Sequence, residues 1–155
     1  MKNPIALILM LAAFSLQAQR QTNTDFTAEC PCTFEVEKKV GLTVYSCEKF
    51  DYNATYKIEV QDYPGGIPDG LTKREYLSGY FADLVSQDLS PEWITFRSDT
   101  AVFYKVIKPL TATRHIMSDN IVFFNQGKRY SLIVTTVSGT RRKLFEDFAN
   151  SFEVR

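Results

Sequence analysis

Cys30, Cys32 and Cys47 are the only cysteines in this chain of 155 residues, and His115 is its only histidine. Three thiolates and one imidazole are donors that zinc favours in a closed four-coordinate site, and soft sulfur also suits copper. Cys30, Cys32, Cys47 and His115 are therefore the candidate metal set, for zinc or copper. Two features weigh against it. Cys-x-Cys is tighter than the usual spacing of thiolate ligands, and His115 is remote in sequence. In an oxidising compartment one disulfide with one spare thiol is the expected state, with no resident cofactor. A Cys30–Cys32 bond would close a very small, strained ring around Pro31. Cys47 is the better partner, because a hairpin between residues 33 and 48 brings it alongside Cys32 or Cys30; Cys32–Cys47 is the pairing expected.

Other chemistry has less to work with. Thiol–disulfide oxidoreductases use Cys-x-x-Cys at a helix N-terminus, where the helix dipole stabilises a thiolate. Here the pair is one residue closer and a strand pattern follows. A Ser-His-Asp or Cys-His hydrolase would have to act through His115, which sits in the strand-like Thr113-Arg-His-Ile116. No Gly-x-Ser-x-Gly elbow or His-Glu-x-x-His helix occurs, and Gly65-Gly66 lacks the Gly-Lys-Ser/Thr of a phosphate loop. No catalytic residue is assigned, and the chain is expected not to be an enzyme.

A contact surface is the alternative to a reactive site. Asp62–Gly70 packs two prolines and three glycines into one short stretch. Its Tyr63, Pro64, Gly65, Gly66, Ile67 and Pro68 would offer apolar groups on a restrained backbone, which lowers the ordering cost of binding. The plainer reading is a connector tucked over a sheet. Arg141-Arg142-Lys143 is the densest basic run, either the solvated face of a helix or a patch for an acidic partner.

The elements that must position these residues follow from periodicity. Lys2 precedes an uncharged apolar run, Ile5–Leu16, and Leu16-Gln17-Ala18 ends in a small residue. The run is shorter than the roughly 20 residues that span a bilayer, so residues 1–18 are expected to be a secretory signal peptide. No cysteine follows at the position of a lipoprotein thiol. The protein is then exported, periplasmic or extracellular, with no integral membrane segment after cleavage. Lysine and arginine number 18 against 18 acids, and the leader takes Lys2 away, so nothing draws this surface to nucleic acid. A protein or a small molecule is the expected partner.

Residues 19–29 are polar at first and lack a clear period, which predicts a flexible mature N-terminus. Residues 30–155 have the size of one domain. Thr33–Glu37, Leu42–Ser46 and Tyr52–Gln61 alternate as half-buried strands. Thr72 opens a helix: Glu75 completes a capping box, and Leu71 and Tyr76 are spaced for a hydrophobic staple. Tyr76, Leu77, Tyr80, Phe81, Leu84 and Val85 fall on one stripe. Strand patterns return at Trp93–Arg97, Ala101–Ile107, Ala112–Met117, Ile121–Phe124 and Arg129–Val137, with turns expected at Asp119-Asn120 and Asn125–Lys128. Leu144, Phe145, Phe148 and Ala149 mark a second helix begun near Ser138 or Thr140, and Ser151–Val154 returns Phe152 to the core. The class is α+β: a single twisted, mainly antiparallel sheet flanked by helices.

Gly127-Lys-Arg-Tyr130-Ser-Leu-Ile-Val134, followed by Leu144-Phe145-x-x-Phe148-x-x-Ser151-Phe152, resembles a known superfamily. It is the PsbP/Mog-like fold, shared by photosystem PsbP extrinsic proteins, the Mog nuclear-import factor and small exported bacterial proteins. The central helix after a Pro/Gly loop agrees. The resemblance covers element order over residues 33–154. It implies a non-enzymatic binding or assembly factor and carries over no catalytic set; the three cysteines are not part of it.

Overall fold

The computed structural model describes residues 18–50, 53–137 and 142–155. The expected leader, Ala18 apart, lies outside the described residues, as does the expected start of the second helix at Ser138–Arg141. In order, the elements are β1 (Gln19–Thr22), β2 (Phe26–Cys30), β3 (Glu35–Lys39), β4 (Leu42–Lys49), β5 (Ala54–Asp62), α1 (Lys73–Ser86), β6 (Glu92–Phe96), β7 (Asp99–Pro109), β8 (His115–Asn125), β9 (Lys128–Val137), α2 (Arg142–Ser151) and β10 (Glu153–Val154).

The single sheet expected from sequence is two sheets. Seven antiparallel strands run in the order β3-β4-β5-β9-β8-β7-β6, and a small sheet has the order β1-β2-β10. The small sheet includes the segment expected to be flexible, which instead forms β1 and β2. Asn23 folds β1 back onto β2, because its side-chain oxygen accepts from the backbone N–H groups of Asp25 and Phe26 at 2.8 and 2.9 Å. Phe26, Ala28 and Cys30 then alternate inward and are fully buried. That period of two is too brief to stand out beside the polar residues around it.

Successive residues on the large sheet serve opposite faces. Val102 and Val122 meet Leu77 and Leu84 of α1, with Tyr76, Tyr80, Phe81 and Trp93 around them. Ala101, Ile121 and Phe123 join the other face, where Tyr56, Ile58, Tyr130 and Leu132 pack under Phe145, Phe148 and Phe152. Phe26 enters this second layer edge-on to Tyr45 at 4.9 Å and stacked on Phe152 at 5.2 Å. β3 closes one end of the large sheet with every side chain exposed.

The capping box is present: Thr72 N–H donates to the Glu75 carboxylate at 2.7 Å, and Glu75 N–H donates to Thr72 Oγ1 at 3.2 Å. Of the expected stripe, Val85 is exposed, and so is Leu71 of the expected staple; Tyr76 packs against Tyr63 and Phe124.

The turn expected at Asp119-Asn120 is absent, and β8 runs through it unbroken. The polar pair is satisfied sideways. Asn120 is buried and its amide donates to Ser118 O and Tyr104 O, while Asp119 lies 3.6 Å from Lys105 across the ladder. The chain reverses at Leu110–Arg114, where Leu110 N–H donates to Arg114 O at 2.8 Å. Lys128, at the head of β9, joins the two sheets through Asp25 at 2.8 Å and Asp62 at 3.2 Å.

Arg97 and Ser98 form the two-residue β6–β7 turn with φ of 50° and 67°, a region that favours Gly, Asn or Asp. Arg97 also donates to the Asn150 carbonyl near the C-terminus of α2. Ser98→Gly should therefore raise stability by about 1 kcal/mol in urea unfolding; an unchanged or lower midpoint would contradict the strain.

Burial pushes the Tyr130 and Tyr76 phenols up to about 12 and raises those of Tyr45, Tyr80 and Tyr104. A phenol raised in the fold stabilises it fully below its ordinary value of 10.0 and stops doing so as pH climbs through the folded value. The melting temperature should hold from pH 7 to 9 and fall above pH 10, with phenolate absorbance appearing late. All eight tyrosines titrating together near their ordinary value would refute this.

Candidate functional site

β2 ends at Cys30, the chain turns through Pro31, and Cys32 lies against Cys47 of β4. Cys32 and Cys47 form the disulfide, with Cα atoms 5.8 Å apart, as expected from the hairpin. Cys30 is the free thiol. The three sulfurs lie within 4.8 Å of one another. Cys30 and Cys47 are buried, while Cys32 is half-buried at the surface.

Gln21 of β1 holds this turn. Its side-chain amide donates to Cys32 O and accepts from Phe34 N–H at 2.8 Å. It was missed from sequence because it lies in the stretch read as flexible, and no pattern in that stretch marks it. Burial pushes the Cys30 thiol up to about 11, and a hydrogen bond from the backbone of Cys32 opposes the shift without overcoming it. Both disulfide cysteines, Cys32 and Cys47, line a surface hollow of about 380 Å³ together with Thr33, Glu35, Ser46, Glu48 and Phe50. Phe50 is 83% exposed at its edge, another residue the sequence reading passed over.

His115 does not join the sulfurs, which corrects the four-residue metal set. It is exposed at the start of β8, opposite Pro109. Strands β5 and β9 stand between β4 and β8, and at about 4.8 Å per strand spacing the separation is roughly 14 Å before any offset along the strands. An offset also exists: the row from Cys47 passes through Tyr56 and Val134 to Asp119, four residues beyond His115.

The Asp62–Gly70 loop is part anchor and part surface. Tyr63 turns inward, its N–H donating to Gly127 O at 2.9 Å and its ring packing on Tyr76 and Phe124 at 5.6 and 5.8 Å. Gly66 N–H closes a turn onto Tyr63 O at 2.7 Å with φ of +65°, a value that glycine adopts freely. Gly66 and Ile67 are half-buried; Pro64, Gly65 and Pro68 are exposed. Tyr63 is thus a fastener, not the exposed contact expected from its type.

No family model and no curated protein matches the chain. Solved structures do. The cyanobacterial PsbP protein (CyanoP) of Synechocystis sp. PCC 6803 is similar at 17% identity and a TM-score of 0.58, over 93% of this chain and 96% of that one. A protein of Bacteroides thetaiotaomicron VPI-5482 is similar at 14% identity and a TM-score of 0.54, over 84% of this chain. The match spans only 45% of the Bacteroides protein's length. The two described helices and the antiparallel seven-stranded sheet, with the likeness to the cyanobacterial protein over 93% of the chain, give this chain a PsbP-like fold.

Proposed function

We propose that this chain is an exported, single-domain binding or assembly module that recognises a protein or small-molecule partner without transforming it. The observation that carries this reading is the likeness to the cyanobacterial PsbP protein over nearly the full length of both chains. Export is supported by the apolar leader sequence after Lys2 and by the Cys32–Cys47 bond, which suits a periplasmic or extracellular setting. No helix among the described residues is long and apolar enough to cross a membrane. The exposed Pro64, Gly65 and Pro68, held out by the inward Tyr63, are the proposed contact surface.

A second reading, zinc or copper held by Cys30, Cys32 and Cys47, is favoured by the closeness of the three sulfurs. It belongs to the reduced protein, since the disulfide occupies two of the three donors.

The full chain, isolated from the exported fraction of its own host, should bring down a partner at comparable amount. Pro64→Asp with Pro68→Asp should reduce that recovery at least about tenfold while leaving circular dichroism unchanged. Equal recovery by both proteins would remove the loop from the proposal, and no partner at all would remove the binding reading. Fully reduced protein titrated with zinc or Cu(I) should bind one ion, with Cys30→Ser weakening it at least about tenfold. An ion bound equally well without Cys30 would dismiss the metal reading.

A further inference from the structure

Cys30 is fully buried, and its sulfur lies within 4.8 Å of both sulfurs of the Cys32–Cys47 disulfide. We propose that the disulfide is exchangeable: Cys30 is a resident attacking thiol that shifts the bond from Cys32–Cys47 to Cys30–Cys47 and so delivers a free thiol at Cys32 to the surface hollow. This rests on the cysteine cluster and is independent of the binding loop.

The atoms balance without an outside oxidant. Cys30 gives up its proton and its thiolate attacks Cys47 Sγ. A Cys30–Cys47 bond forms as the Cys32–Cys47 bond breaks, and the electron pair leaves on Cys32, which takes up a proton. One disulfide and one thiol exist before and after.

Position decides which sulfur is attacked and which is released. Attack on Cys32 would close the small ring around Pro31, so Cys47 is the electrophile. Cys32 and Cys47 both line the hollow, but Cys47 is buried like Cys30, whereas Cys32 is only half-buried and is the more open of the two. Cys32 Sγ lies 3.4 Å from the Glu48 carbonyl oxygen, which is placed to accept a hydrogen bond from the released thiol. The Cys32 backbone hydrogen bond to the Cys30 sulfur favours the attacking thiolate. Within the chain, exchange moves reactivity from a site closed to solvent to one open to it. The new surface thiol is suited to a partner that carries a disulfide, since its thiolate would form a mixed disulfide there and release the partner's own thiolate.

The test uses the folded, oxidised protein and N-ethylmaleimide, with the labelled cysteine and the remaining disulfide located by peptide mass mapping. The label should appear on Cys32, in molecules carrying Cys30–Cys47. Cys30→Ser should abolish it. Label confined to Cys30, no label before unfolding, or label on Cys32 in the Cys30→Ser protein would each overturn the exchange. Independently, Cys32→Ser should contain a Cys30–Cys47 bond and no free thiol; two free thiols in that folded variant would also overturn it. Neither failure touches the metal reading, which is measured on fully reduced protein.

Discussion

Phe26 is the joint on which the two-sheet arrangement rests. Its ring is fully buried, edge-on to Tyr45 and stacked on Phe152, so it touches the large sheet and the C-terminal segment at once. A buried aromatic of this kind contributes several kcal/mol, on the order of 3–5 when truncated to alanine. Without it, β2 would have little apolar surface holding it to the rest of the core, since Ala28 and Cys30 are small. The small sheet would then lose its middle strand, and the turn that presents Cys30 and Cys32 would lose its support. Site geometry here is downstream of core packing.

Polar contacts finish what that ring begins. Lys128 reaches Asp25 on one side and Asp62 on the other, linking the start of β2 to the ends of β5 and β9. Asp99 receives Lys73 of α1 and the amide of Asn125 at 2.6 Å, which fastens the helix and two hairpin ends together. These pairs are partly exposed, so each adds at most modest stability. Their role is registration: they fix which parts of the two layers face each other.

Much of this was legible in the residues. Thr72 and Glu75 announced α1 because a capping box is a local signature needing no tertiary contact. The Cys32–Cys47 pairing followed from one short hairpin, whose geometry is also local. What stayed hidden depends on neighbours remote in sequence. Asp119-Asn120 has turn chemistry, yet Lys105 and the Tyr104 carbonyl hold the pair inside a strand. Arg97-Ser98 lacks turn chemistry and turns anyway, with Arg97 anchored on α2. His115 shares a donor type with metal ligands, but strand order alone decides that it never meets the sulfurs. β1 and β2 went unseen because four or five residues give too few repeats of an alternating pattern.

The Gln21 amide spans from β1 to the Cys30-Pro31-Cys32 turn through two hydrogen bonds. That span ties β1 to the placement of the cysteines. Loss of the few residues through Gln21 would remove both hydrogen bonds from the cysteine turn while sparing Phe26, Tyr45 and Phe152, so the turn can be loosened without disturbing the aromatic interior.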